Sequence, residues 1–142
     1  MAHATRENLG YLLAKASQRW NELLAEGFAA EGFPEVRPSY GSVLVPLFEE
    51  DDLRMGEIAR RSRLTKQTIT TLVRLCERDG LVERRPDPAD GRATIVSLTA
   101  HARRFEPSAE RVLGELEREV AALFSPRQRA TLRGALTALA DL

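Results

Sequence analysis

One cysteine, Cys76, and two histidines, His3 and His101, are the chain's whole stock of soft metal ligands. A lone cysteine excludes an intramolecular disulfide, and three such residues scattered along the chain form no zinc-binding spacing, so no metal is expected. Long apolar runs are missing too; nothing approaches the roughly 18 consecutive apolar residues that a membrane-spanning helix needs. The start of the chain, with His3, Ala4, Thr5, Arg6 and Glu7, lacks the basic-then-apolar order of a secretory leader, which points to a cytoplasmic protein. There is no glycine-rich phosphate loop and no nucleophile with a base beside it, so neither a catalytic site nor a cofactor is expected. Nor is there an excess of charge of one sign, since 21 Lys and Arg balance 21 Asp and Glu.

That balance conceals a division. Between Leu53 and Arg104 twelve Lys and Arg face six Asp and Glu, a net +6, which leaves −6 on the remainder. A basic middle between acidic flanks suits a nucleic-acid partner, although an ordinary mixed-charge surface would give the same count.

Apolar spacing then organises the chain. From Thr5 to about Gly27 the residues Leu9, Leu12, Leu13, Ala16, Trp20, Leu23 and Leu24 repeat at threes and fours, the mark of one helical face. Gly32, Pro34 and Pro38 end that helix, and Ser39 is placed to cap a shorter one carrying Val43, Leu44, Leu47 and Phe48, with Pro46 expected to kink it. After the acidic turn Glu49 to Asp52 comes a short helix near Gly56 to Ser62, then only Arg63 and Leu64, then a second helix from Thr65 to Asp79 with Ile69, Leu72, Val73 and Cys76 on its inner stripe. Two short helices in tight succession make a helix-turn-helix. Beyond Gly80 the period changes to alternation. Leu81 to Arg85 and Ala93 to Leu98 read as two strands joined by a polar tip, Pro86 to Arg92. The chain returns to helix with Ala109, Val112, Leu113, Leu116, Val120, Leu123 and Phe124 on one face, and Ser125-Pro126-Arg127-Gln128 opens a last helix bearing Leu132, Leu136 and Leu139. The fold class is therefore mainly α, an α+β winged helix with a two-stranded β wing between flanking helices.

A helix fits the DNA major groove, and its N-terminal residues reach base edges while its first amides favour phosphate. The polar face of the second short helix offers Thr65, Lys66, Gln67, Thr70, Thr71 and Arg74 as donors to phosphate; Lys66 and Gln67 can also read bases, Gln67 being suited to adenine. At the hairpin tip Arg92 is shaped for a narrow minor groove, and Asp90 is expected to hold its guanidinium.

Glu57-Ile58-Ala59, Thr65-Lys66-Gln67-Thr68-Ile69-Thr70, Gly80-Leu81-Val82-Glu83-Arg84-Arg85, Asp87-Pro88-Ala89-Asp90-Gly91-Arg92 and Val96-Ser97-Leu98-Thr99 together resemble the MarR family of bacterial regulators. The resemblance runs along nearly the whole chain in helix order. It implies a homodimer with interlocked N- and C-terminal helices, each copy reading half of a near-palindromic operator in double-stranded DNA. It further implies repression relieved by a small aromatic effector near the first, second and fifth helices. Residues 1–36 then form the N-terminal part of the dimerisation region, 37–100 the DNA-binding region and 101–142 the C-terminal dimerisation helices, within one structural domain. Three positions depart from the family pattern: Gly91 stands where an arginine is common in the wing, Arg54 where a Thr or Ser caps the short helix, and Ala102 where a glycine follows the last strand.

Each motif has a plainer reading. The polar residues from Lys66 to Arg74 would also serve as a solvated helix face, and of Arg84 and Arg85 one touches phosphate while the other is ordinary surface, because successive strand residues point apart. Cys76, on the inward stripe, reads as packing and not as a redox sensor. Tyr11, Trp20 and Tyr40 are candidates for an aromatic ligand pocket and equally for the core or a dimer seam. A winged-helix module that binds protein without sequence-specific DNA binding is the alternative function.

Overall fold

A computed structural model describes residues 3–142. Its elements are α1 (Leu9–Ala30), a 3-10 turn (Pro38–Tyr40), α2 (Gly41–Glu49), β1 (Leu53–Arg54), α3 (Met55–Ser62), α4 (Lys66–Arg78), β2 (Val82–Asp87), β3 (Asp90–Leu98), α5 (Ala100–Leu123) and α6 (Pro126–Ala140). None of these helices is long and apolar enough to cross a membrane. The architecture is mainly helical, as expected, but the sheet has one strand more than the sequence suggested. Leu53 and Arg54 pair with Val96 and Ile95, giving the antiparallel order β1-β3-β2 in place of a two-stranded hairpin. Two residues are too few for alternation to show.

The first helix lies a few residues later than its apolar spacing indicated, because Asn8 supplies the cap: its side chain accepts from the Gly10 amide at 2.9 Å. Ser39 does not cap α2. Proline at the first position presets a helical φ, so the 3-10 turn starts at Pro38, takes in Ser39 and runs directly into α2, with Tyr40 at the junction and no side-chain cap. Pro46 sits inside α2 and cannot donate to the Ser42 carbonyl four residues back. The hydroxyl of Ser62, on α3, donates to that carbonyl instead, so the bond proline removes becomes one that joins α2 to α3.

The core lies beneath α4. Tyr40, Val43, Leu44 and Leu47 meet Ile58 of α3, Ile69, Val73 and Cys76 of α4, and Leu81, Val82 and Val96 of the sheet, all with almost no solvent contact. The inner stripe of α4 is thus fully used, which leaves its polar side outward. Between α3 and α4 the chain turns at Arg63, whose φ of 55° is left-handed; α4 ends against Gly80, where φ is 77° and glycine bears that conformation without strain.

The helices flanking this core meet where α1 crosses α5 at Gly27. A Cβ on Gly27 would lie 2.5 Å from Val112 Cγ1. Gly27→Ala gains about 1 kcal/mol of helix propensity, but overpacking costs about 1–3 kcal/mol and a β-branched valine in a helix has one favoured rotamer, so it cannot step aside. The substitution should therefore destabilise the chain by about 1 kcal/mol net, read as a lower urea midpoint at fixed protein concentration.

The capping box at Ser125 and Gln128 forms with both of its bonds, yet α6 buries none of its residues within the chain. Leu132 and Leu136 are 41% and 44% exposed. With Leu9, Leu12 and Trp20 of α1 and Phe124 they line an open apolar groove of about 550 Å³.

Candidate nucleic-acid interface

Thr65 ends the turn and caps α4: its hydroxyl oxygen accepts from the Thr68 amide at 3.1 Å, and its hydroxyl donates to Thr68 Oγ1 at 2.9 Å. Lys66, Gln67, Thr71 and Arg74 project from α4 into solvent and Thr70 is half-buried. The hydroxyls of Thr70 and Thr71 are turned back to the carbonyls of Lys66 and Gln67, at 2.8 and 3.1 Å. That back-bonding is a common alternative for threonine in a helix, and it leaves Lys66, Gln67 and Arg74 as the donors directed outward.

The wing is shorter at its tip than the sequence implied. Strand pairing continues through Pro86 with Thr94 and Asp87 with Asp90, with an irregularity between Pro86 and Asp87, so only Pro88 and Ala89 remain as the turn. Asp90 does not hold the Arg92 guanidinium. Its carboxylate accepts from the Arg92 backbone amide at 3.1 Å, the local bond that an aspartate side chain makes to the amide two residues on. Asp87 makes the matching bond with the Ala89 amide at 2.9 Å.

Burial and charge separate the arginines more sharply than their positions do. Of the twelve cations between Leu53 and Arg104, eight sit within 4.0 Å of a carboxylate: Arg54 with Asp87, Arg60 and Arg61 with Glu57, Arg63 with Asp141, Arg78 with Asp79, Arg84 with Glu77, Arg85 with Asp52 and Arg103 with Asp51. The hydrogen bonds from Arg60 and Arg61 hold the Glu57 carboxyl down at about 2, and Arg61 also pairs with Glu50. Arg84 and Arg85, of which one was expected to touch phosphate, are both paired with a carboxylate in the single chain. Among the described residues, Lys66, Arg74, Arg92 and Arg104 have no carboxylate partner. Three of those four lie on the outward face of α4 and at the wing tip.

The three aromatic pocket candidates are not brought together. Tyr40 has no solvent exposure and donates its hydroxyl to Asp79 Oδ2 at 2.5 Å; Tyr11 is 41% exposed beside Lys15; Trp20 lines the apolar groove against α6. Burial, then the bond and charge of Asp79, push the Tyr40 hydroxyl up to about 12. A separate cavity of about 210 Å³ opens between α1, α2 and α5, lined by Leu24, Phe28, Leu44, Phe48 and Phe105 with Arg37 among its walls. The resemblance pointed to this region, while apolar spacing marked Leu24, Leu44 and Phe48 only as helix faces and left Phe28 and Phe105 unmarked. Cys76 is fully buried, and that burial pushes its thiol up to about 12, so it stays protonated. Among the described residues no three His, Cys, Asp or Glu side chains gather as metal ligands.

Comparison with known proteins agrees with this geometry. Residues 46–93 match the profile of the MarR family. Over 89 residues the chain is 35% identical to the HTH-type transcriptional repressor YetL of Bacillus subtilis, a match covering 61% of this chain and 52% of that protein. The chain thus spans about half the length of that curated relative. The crystal structure of a "probable transcriptional regulator" from Pseudomonas aeruginosa is 30% identical with a TM-score of 0.79, covering 94% of this chain and 97% of that one. The transcriptional repressor CouR, solved bound to a 23-mer DNA duplex, is 25% identical with a TM-score of 0.80, covering 98% of this chain and 99% of its own. Motifs, fold and relatives converge, and the chain belongs to the MarR family of winged helix-turn-helix transcriptional regulators.

Proposed function

We propose that this protein binds duplex DNA sequence-specifically as a homodimer and represses transcription in the cytoplasm. The observation that carries the reading is the selective lack of carboxylate partners at Lys66, Arg74 and Arg92, in a segment where most other cations are paired. Those three can exchange condensed counterions for phosphates without first breaking an ion pair. In this reading α4 enters the major groove with Thr65, Lys66, Gln67 and Arg74 foremost and Thr70 and Thr71 lining its flank, while Arg92 enters the adjoining minor groove from a turn that Asp90 shapes. Residues 37–100 read DNA, and residues 1–36 and 101–142 join two copies so that their α4 helices lie about 34 Å apart on a near-palindromic operator. The 210 Å³ cavity is the seat of a small, largely apolar effector, with Arg37 as its polar anchor. Its walls reach both α5, which the dimer would hold, and α2, which packs under α4, so an occupant there can shift one relative to the other. The relatives named as repressors support repression as the direction of control.

Selection of bound sequences from random duplex, followed by titration across salt concentrations, tests the proposal. Binding should fall steeply with salt; Lys66→Ala should flatten the log–log slope by about one per protomer. Gln67→Ala should change the preferred sequence while the slope holds, and Arg92→Ala should weaken binding to most duplexes. Salt-insensitive binding, or no selected sequence, would instead favour a winged module that binds protein.

A further inference from the structure

The N-terminus of α3 is formed by a residue that cannot cap it. Arg54 occupies the N-cap position and makes no cap hydrogen bond, since a guanidinium has no acceptor for the first amides of a helix. Its side chain goes elsewhere, to Asp87 Oδ2 at 2.5 Å, near the end of the wing hairpin. Asp87 is the buried member of that pair, with its side chain 8% exposed against 52% for Arg54. The Asp87 carboxyl lies below the usual carboxylate range, first through the Ala89 amide and then, against the opposing effect of burial, through Arg54.

Both ends of this pair are tied to elements placed at DNA in the proposed function. On one side Asp87 faces Asp90 across the two-residue turn, and Asp90 in turn binds the Arg92 amide. On the other, Arg54 is followed by Met55, which is buried and lies 3.1 Å from the Thr70 hydroxyl of α4. A short chain of contacts therefore runs from the wing tip, through Asp87 and Arg54, to the base of α4. The strand pairing alone leaves this connection open, because β1 pairs with β3 only at Leu53 and Arg54, well before the hairpin turn.

We propose that Arg54 and Asp87 are positioning residues: an ionic strap that fixes the distance and angle of the wing tip, and so of Arg92, relative to α4. The strap rests on the DNA-binding reading for its use but not for its existence. Without it the hairpin pivots beyond Pro86, where the register is already irregular, and Arg92 no longer arrives in the minor groove when α4 is seated in the major groove. Arg54 touches DNA through Arg92 and not by itself.

Three full-length variants, Arg54→Ala, Asp87→Asn and the two combined, each made again in an Arg92→Ala background, test this against a duplex selected by the parent. Arg54→Ala and Asp87→Asn should each weaken binding about tenfold, about 1.4 kcal/mol at 25 °C, and the double variant should lose no more than either single one. In the Arg92→Ala background neither should matter, which is the signature of acting through Arg92. Hydrogen exchange at the Ala89 and Arg92 amides should accelerate in Arg54→Ala while the amides of α4 stay protected and the unfolding midpoint stays close to that of the parent. A loss on Arg54→Ala that persists undiminished with Asp87→Asn or Arg92→Ala would make Arg54 a direct phosphate contact and overturn the strap. Unchanged exchange at both wing amides would overturn it as well. If the parent bound no duplex while the exchange result held, the regulator reading would fall and the strap would stand.

Discussion

Leu132→Asp combined with Leu136→Asp should yield a chain that sediments as a monomer and binds its operator at least a hundredfold more weakly than the parent. The expectation starts from α6, which has a formed capping box yet no buried residue in the single chain. An isolated 15-residue helix is marginal in water even with good propensity, so α6 needs an apolar surface to hold it. Its own chain offers too little: Leu9, Leu12, Leu13, Phe124, Leu132 and Leu136 all remain at least 36% exposed around one groove. In the proposed dimer a second copy would lay its own terminal helices into that groove and cover these side chains, at about 25 cal/mol per Å² of apolar surface removed from water. Two aspartates on α6 place carboxylates in that seam, where each would have to be desolvated without a partner. Operator affinity falls with the dimer, because linked half-site contacts are worth about 10²–10⁴ beyond either alone. A double variant that remained a dimer at micromolar concentration would show that the groove is covered some other way.

The parts of this molecule written in local periodicity were legible before any coordinates. The stripe of α4, its stop before Gly80 and the Ser125 capping box follow from short-range rules. Strand β1 was not legible, since a two-residue strand is defined only by its partner on β3. The same limit applies to charge. A net +6 in the middle segment says that cations are available, but Arg85 is committed to Asp52 and Arg54 to Asp87 by tertiary structure, and only the pairing reveals that Lys66, Arg74 and Arg92 are left over. Asp90 shows the limit at the shortest range: two residues of separation made a side-chain pair with Arg92 plausible, and the turn chose the backbone amide.

Tyr40 offers the sharpest case, because residue type alone allowed it to be either pocket lining or core. Its ring is fully buried and its hydroxyl meets a carboxylate 39 residues away that also takes Arg78. Tyr40→Ala should remove about 3–5 kcal/mol for the ring, judged by phenylalanine and tryptophan truncations, out of a total that is about 5–15 kcal/mol for a domain. Much of the chain should then be unfolded at 37 °C. Tyr40→Phe keeps the ring and loses only the bond; hydrogen bonds to charged groups are worth about 1.5–3 kcal/mol, and Asp79 keeps Arg78, so the lower end applies. The pH dependence separates bond from packing. The Tyr40 hydroxyl titrates near 12 in the folded chain against 10.0 ordinarily, so folding favours its protonated form. That contribution is complete below pH 10 and disappears as the pH rises toward 12. Phenylalanine has nothing to titrate. The stability gap between parent and Tyr40→Phe, measured by urea unfolding at equal protein concentration, should therefore be widest at pH 8 and narrow at pH 11. A gap that stayed constant across that range would mean the hydroxyl contributes by filling space, and that Asp79 is held by Arg78 alone.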